Sequence, residues 1–332
     1  MEPLSAREKK ILSATVHHYV DTMEPVGSKI LVQRFGFNSS SSTVRSAMGI
    51  LEKKGFLQQP HASAGRVPSP QGYRHYVDCL LPPPGISIQH LQNELNYLSL
   101  PRDSFDHLLW QLARRLTDFT GLMSLITRPI DKNCRLKDVR LVQSGDRLLV
   151  MLVESPNQVS HLNLFSPAET AQHIQPIENW ISEQLKISEN GNLDLTTLPS
   201  HLHKTGSVLK DAIYNHQQAK SRIENDIVFY GISRLASQPE FTDIKNFQPI
   251  LDLIDSDPKL VLTINSKHIS GVSIGEENPQ NELSDCSVVQ ASYRSSSDCI
   301  GYVALIGPMR MAYANTMAAV KNVAKYLERI LS

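Results

Sequence analysis

The segments EPVGSK at residues 24–29, SSTVR at residues 41–45 and QPHASAGRVP at residues 59–68 decide how the beginning of this chain folds. They alternate with stretches of helical apolar period, so the first segment separates two helices and the second opens a third. Two short helices joined by a tight turn form a helix-turn-helix. The third segment places an Ala-Ser-Ala-Gly tip between extended residues, which predicts the β-hairpin of a winged helix.

Three helices are predicted before this hairpin, each with one apolar face. The third covers Thr43–Lys54, and either Ser41 or Ser42 is expected to cap it. Gly36 is expected to end the second helix. The core-facing residues, in chain order, are Leu12, Val16, Tyr19, Val20, Ile30, Leu31, Phe35, Val44, Met48 and Leu51.

Charge is distributed unevenly along the chain. The 332 residues include 33 basic and 33 acidic side chains, so the formal net charge is zero. Residues 1–78 hold ten basic and six acidic side chains, a net charge of +4, which leaves −4 for the remainder. A basic beginning on an acidic body suggests contact with a polyanion, although a solvated surface explains the excess nearly as well.

The residue types of the predicted helix-turn-helix suit DNA. A recognition helix inserts its N-terminal turn into the major groove, where small hydroxyls allow close approach. Arg45 is the first choice for base readout, because its guanidinium matches guanine O6 and N7. The other expected DNA contacts are Ser41, Ser42, Thr43, Ser46, His61, Ser63, Arg66, Lys9, Lys10, Lys29 and Arg74. Each of them, taken singly, is also explained as a cap or a solvated side chain, and winged helices serve as protein–protein modules too.

The proline run at residues 81–85 predicts a linker after a first domain of residues 1–80, because prolines lack N–H donors and disfavour helix before them. The apolar period beyond it indicates one α+β domain, residues 86–166 and 256–332, interrupted by a mainly helical insertion at residues 167–255. Three domains in tandem are the alternative. The individual elements predicted are helices at 104–121, 170–185, 225–235 and 311–331, and strands at 139–142, 148–153, 159–164, 260–264, 272–274, 286–293 and 300–305.

Several classes of protein are excluded or disfavoured. The composition, 41% hydrophobic and 20% charged, is globular, and no stretch approaches the roughly 18 apolar residues of a membrane span. Residues 1–20 carry charges where a signal peptide is apolar, so we expect a cytoplasmic protein. The four cysteines form no CxxC pair, and GxSxG, Walker A and HExxH motifs are absent. We therefore expect no enzyme, no cofactor and no metal site.

The opening motifs, together with Gly72-Tyr73-Arg74, resemble the N-terminal domain of the bacterial heat-inducible transcription repressor family HrcA. The segments QPEF at residues 238–241, IGEEN at residues 274–278 and GPMRM at residues 307–311 are similar to the family's later signatures, in the expected order. The resemblance covers nearly the whole chain. We expect the last of these motifs to be structural.

This resemblance implies a homodimeric repressor that binds an inverted-repeat DNA operator upstream of chaperone genes and that the chaperonin keeps competent. It also implies a winged helix-turn-helix followed by a GAF-like α/β domain, which a mainly helical dimerising insertion interrupts. The alternative is a GAF-type regulator of other genes that senses a small ligand. In that case Glu276, Glu277 and Asn278 would line a polar pocket, whereas otherwise they form a turn at a strand end.

Overall fold

A computed structural model describes residues 3–97, 105–129, 136–154, 158–165, 171–187, 197–221, 227–256, 258–262, 271–295 and 299–331. The chain divides into two compact units. The first unit comprises Met1–Arg128, Ile227–Tyr293 and Gly301–Ser332, and the second unit comprises Pro129–Asp226 and Arg294–Ile300. The fold is a mixture of helices and antiparallel sheets, as the sequence predicts.

The part of the first unit that comes first in the chain, residues 3–79, is named the head. Its elements are α1 (Ala6–Thr22), α2 (Ser28–Phe35), α3 (Ser41–Lys53), β1 (Leu57–Gln58), β2 (Val67–Pro68) and α4 (Pro70–Cys79). The three helices and the hairpin lie where the sequence predicts them. The fourth helix was not predicted; Ser69 caps it and Pro70 occupies its first position.

The caps of these helices differ in one respect from the prediction. Gly36 ends α2 in the left-handed conformation, with φ of 63°, as expected. The cap of α3 is Ser40, whose Oγ accepts from the backbone N–H of Thr43 at 3.2 Å, so the prediction of Ser41 or Ser42 was wrong. Four consecutive serines offer the same capping group, and only the backbone conformation selects among them.

The chain continues as α5 (Ser87–Tyr97), α6 (Phe105–Thr120), β3 (Met123–Thr127), β4 (Leu136–Ser144), β5 (Arg147–Glu154), β6 (Gln158–Phe165), α7 (Ala171–Ile187) and α8 (His203–Ser221). It then forms β7 (Ile227–Tyr230), α9 (Ile232–Ala236), α10 (Ile244–Ser256), β8 (Val272–Ile274), β9 (Cys286–Arg294), β10 (Ile300–Pro308) and α11 (Tyr313–Leu331). The predicted long helix, the three-stranded meander and the final helix are confirmed.

Two predicted elements were wrong. Residues 225–235 do not form one helix, because Ile227–Tyr230 pairs antiparallel with β3 and only Ile232–Ala236 is helical. The run Ile-Val-Phe-Tyr has strand propensity, and a long-range partner decides its structure. The predicted strand at 260–264 begins instead as a 3-10 helix, Pro258–Leu262, and its last two residues lie outside the described ranges.

The first unit is built around a five-stranded sheet with the strand order β7-β3-β10-β9-β8. One continuous apolar core joins this sheet and its helices to the head, and it includes Leu51 of α3, Leu112 of α6 and Leu305 of β10. Burial of each such side chain contributes about 1.5–3 kcal/mol. The proline-rich linker therefore does not separate the head into a compact unit of its own, in contrast to the expected boundary.

The second unit has its own sheet, with the strand order β4-β5-β6. One face packs on α7 and α8 through residues such as Val139, Val150 and Ile177. The sequence predicts that the meander β4–β6 belongs to the same domain as residues 86–128. It belongs instead to the second unit, because α7 and α8 cover its apolar face. Thr127 and Ile227, which flank this unit in sequence, are directly paired between β3 and β7.

None of the helices in the described ranges combines the length and the apolar character that crossing a bilayer requires.

Replacing Gly72 with Ala is expected to destabilise the head by about 2 kcal/mol or more. A Cβ at this position in α4 would lie 2.0 Å from the carbonyl oxygen of Phe56, and neither backbone can retreat easily. Urea denaturation followed by circular dichroism measures the change. Gly49→Ala is the matched control, because a Cβ there meets no atom within 4 Å and alanine favours the helix. Equal stability of the two variants would contradict this packing.

Candidate nucleic-acid interface

Helix α3 has one buried face and one outward face. Val44, Ala47, Met48 and Leu51 are buried in the core of the head. The exposed residues of the helix are Ser42, Thr43, Arg45, Ser46, Ile50 and Lys53. The hydroxyls of Ser42 and Thr43 lie 2.7 and 2.9 Å from Oγ of the cap Ser40, so the cap holds the first two of these side chains in place.

The tip of the hairpin is a compact turn that carries two exposed candidates. The side-chain amide of Gln59 donates to the carbonyls of Ala62 and Ala64 at 2.8 and 3.0 Å. These bonds stabilise the turn without help from the rest of the head. His61 and Ser63 are exposed on it, as a DNA contact requires.

The loop before α2 and the hairpin are joined by main-chain hydrogen bonds. Val26 and Arg66 each donate a backbone N–H to the other's carbonyl, at 2.8 and 2.9 Å. A Cβ on Gly65 would lie 2.5 Å from the carbonyl carbon and oxygen of Val26, so only glycine allows this approach. The segments at residues 24–29 and 59–68 are therefore held together as one piece of structure.

Arg66 was predicted to contact DNA, but the structure directs its side chain at α3. Its Nη2 and Nε lie 2.8 and 2.9 Å from a carboxylate oxygen of Glu52, and the side chain is only 22% exposed. The ion pair fixes the hairpin relative to α3. Arg66 is thus a positioning residue in this structure.

Arg74 was also predicted to contact DNA, but its side chain bonds residues of β8 and of the turn that follows it. Its guanidinium bonds both carboxylate oxygens of Glu277, the carbonyl of Val272 at 2.7 Å and the carboxylate of Asp78 at 3.1 Å. Burial opposes the charge, but the bonds to Glu277 hold the pKa of Arg74 above its ordinary value. This residue fastens α4 to the end of β8. The sequence contains no local signal for a partner some two hundred positions away.

The remaining basic candidates for DNA contact have exposed side chains without an ion-pair partner among the described residues. Four acidic side chains of the head have basic partners: Glu8 with Lys54, Asp21 with Arg34, Glu52 with Arg66, and Asp78 with Arg74. Six basic side chains are exposed and have no ion-pair partner in the described part of the head: Arg7, Lys9, Lys10, Lys29, Arg45 and Lys53. Glu24 is the acidic side chain of the described head that remains exposed without an ion pair, so free cations outnumber free anions there.

The contact between α1 and α2 includes a neutral histidine. Burial lowers the pKa of His18, and the charge of Arg34 lowers it further. The ring therefore accepts at Nδ1 from Arg34 Nη1, 2.8 Å away, while Arg34 Nη2 donates to Asp21 at 2.7 Å. This bonding orients α2, which precedes α3.

Other signature segments also meet through side chains. Arg310 of GPMRM donates to Glu240 of QPEF at 2.6 Å and to Gln238 at 2.9 Å, in line with the expected structural role. The side-chain amide of Asn278 donates to the carbonyls of Gly275, Leu283 and Cys286. Residues 275–277 form a 3-10 turn after β8, next to which Asn278 makes these bonds; Glu277 holds Arg74, whereas Glu276 is exposed.

An exposed helix face with free cations, beside a hairpin with a polar tip, is typical of regulators that bind nucleic acid. Residues 106–317 match the family described as HrcA protein C terminal domain. The heat-inducible transcription repressor HrcA of Prochlorococcus marinus (strain MIT 9313) is 60% identical over 331 residues, which cover 100% of this chain and 94% of the relative. That of Parasynechococcus marenigrum (strain WH8102) is 54% identical and both chains are covered completely. The chain belongs to the HrcA family of heat-inducible transcription repressors.

A solved structure of a hypothetical protein at 2.2 Å resolution has a similar fold. Its TM-score is 0.60 at 20% sequence identity, and the match covers 99% of this chain and 97% of that one. The likeness concerns the fold alone.

Replacing either member of the Arg74–Glu277 pair is expected to destabilise the first unit by about 2 kcal/mol, because the remaining charge loses its partner while largely buried. A double-mutant cycle with Arg74→Ala and Glu277→Ala should give a coupling free energy of about 1–3 kcal/mol in urea denaturation.

The exposed pair Arg114–Asp118, with a 3.7 Å separation, is the control for this cycle. Its coupling should stay below about 0.5 kcal/mol. A coupling between Arg74 and Glu277 as small as this control value would show that the pair does not fasten α4.

Proposed function

We propose that this chain is a cytoplasmic, dimeric repressor of heat-shock chaperone operons that binds an inverted-repeat operator and that the chaperonin keeps competent. The outward face of α3 is the observation that carries this function. It presents Arg45, Ser46 and Lys53, and the one acidic residue of the helix, Glu52, is neutralised by Arg66. The relatives are named heat-inducible transcription repressors, which supports heat-shock genes as the target of the proposed repression.

In this proposal the head is a winged helix-turn-helix with α3 in the major groove. Arg45 reads a base, and the hydroxyls of Ser42 and Ser46 allow the helix to approach closely. Lys9, Lys10 and Lys29 bind phosphates, and His61 and Ser63 contact the backbone or the adjacent minor groove. The ion pair of Arg66 and the backbone bonds of Val26 set the position of the wing relative to the helix.

Dimerisation is proposed to use the open face of the sheet in the second unit. The face opposite α7 carries apolar side chains in neighbouring rows, including Val142, Leu149, Met151, Val159 and Phe165. Val159 and Phe165 are 57% and 77% exposed. These side chains share the face with Arg140, Arg147, His161 and Asn163, and several large apolar side chains on one open sheet face favour a subunit interface. The dimerising insertion predicted at residues 167–255 is replaced in this proposal by the second unit, which includes the strands before residue 167 and excludes residues 227–255.

The remainder of the first unit is proposed to be the GAF-like domain, split by the second unit between β3 and β7. The direct pairing of Thr127 with Ile227 supports this arrangement, since an inserted segment must leave and re-enter at neighbouring points. Two of the three candidate pocket residues of the ligand-sensing alternative, Glu277 and Asn278, are bonded within the first unit, which favours the repressor without a ligand.

Arg45→Ala is expected to relax specificity at one base pair in each half-site, at a cost of about 1–3 kcal/mol on the preferred sequence. Lys10→Ala should weaken binding to all sequences alike and reduce the slope of log K against log salt by about 1 per subunit. Both are measured by gel-shift titration on an inverted-repeat chaperone operator and a scrambled duplex at several salt concentrations. Lys325→Ala in α11 is the control. Identical effects of the two head variants would refute this division of roles.

Charges on the proposed dimer face should produce monomers. The double variant Val159→Lys, Phe165→Lys leaves the core of the second unit intact but places charges where apolar side chains meet. Analytical ultracentrifugation should show a monomer with much weaker operator binding. Val208→Lys, on an exposed position of α8, should remain a dimer. A dimeric double variant would move the interface elsewhere.

A further inference from the structure

We infer that Ile50 is a specificity-determining residue that reads the 5-methyl group of thymine in the operator. The inference rests on the proposed function, because it requires α3 to lie in the major groove. Ile50 is 43% exposed on a helix whose other large apolar side chains are buried. It is not among the apolar side chains that form the core of the head.

The position of Ile50 on α3 places it beside the other candidate DNA contacts. Residues three, four and seven apart share a helix face, so Thr43, Ser46 and Ile50 lie along one line. Arg45 lies about 140° away around the helix axis, on the other flank of the outward face. The two flanks therefore face different base pairs.

The backbone next to Ile50 is bare on its outward side. A Cβ built on Gly49 meets nothing within 4 Å. Glycine in the interior of a helix costs about 0.5–1 kcal/mol relative to alanine, so its presence here has a cost that the packing of the head does not offset. A bare backbone between Ser46 and Lys53 lets the helix approach the groove and brings Ile50 to the base edges.

The chemistry of the groove identifies the group that Ile50 contacts. The thymine methyl is the apolar group that base pairs present in the major groove, and aliphatic side chains contact it there. Burial of one methyl against an aliphatic side chain changes affinity by about three- to fivefold. Arg45 and Ile50 would thus read guanine and thymine on opposite flanks of one helix.

The test removes the methyl from DNA and the side chain from the protein. The full-length chain is used to select a preferred duplex from a random pool, and each thymine of that duplex is then replaced singly by deoxyuridine. Wild-type protein should lose about three- to fivefold in affinity at one or two thymines in each half-site. Ile50→Ala should bind the parent duplex more weakly and show less than about 1.5-fold response at those thymines.

Two controls isolate the contact. Arg45→Ala should keep the full response to deoxyuridine, and Ile86→Ala, at an isoleucine that is 76% exposed outside the head, should behave as wild type. The comparison of two duplexes with the same protein cancels any change in the folded fraction.

The possible failures separate the two proposals. If the wild-type chain selects no preferred duplex, the proposed function itself fails. If it selects one but no thymine responds to removal of the methyl, or if Ile50→Ala responds as strongly as wild type, the role of Ile50 is wrong and the proposed function stands.

Discussion

The guanidinium of Arg74 is the interaction on which the placement of the head depends. It reaches from the middle of α4 to the carboxylate of Glu277 and the carbonyl of Val272, at the end of an edge strand of the central sheet. The same helix holds the head through Ser69, which caps it, and Gly72, which touches the backbone of Phe56. One helix thus transmits the position of the sheet to the outward face of α3. Arg74, which the sequence predicts as a DNA contact, instead forms an ion pair within the protein.

Local signals in the sequence are sufficient to predict the head. Glycine at the end of α2, serine before α3 and apolar residues at helical spacing each act over a few residues, and the structure places those elements as expected. The strand Ile227–Tyr230 could not be predicted in this way, because its partner β3 lies a hundred residues earlier. The same reason explains why the boundary of the second unit was not predicted. The strands β4–β6 belong to this unit because helices later in the chain cover their apolar face, and the strand sequences alone do not indicate this.

In the candidate site, too, the features set by local sequence could be predicted and those set by distant partners could not. Exposure of Arg45 and Lys10 follows from the helical period, since both lie opposite an apolar stripe. The roles of Arg66 and Arg74 do not follow, because a basic residue reads the same in sequence whether its partner is a phosphate or a distant carboxylate. The signature segments are spaced far apart and still meet in pairs: Val26 with Arg66, Arg74 with Glu277, and Glu240 with Arg310. These contacts hold the signature segments together in the first unit.

The order of strands in the central sheet has a consequence for how the protein is made. Strand β3 lies between β7 and β10, so both of its neighbours are synthesised long after it. The head shares its apolar core with this sheet, and β3 has to wait for nearly the whole chain before both of its partners exist. Closing such long loops slows folding and leaves apolar strand surface exposed in the meantime. The central sheet is thus complete only after the last third of the chain has been made.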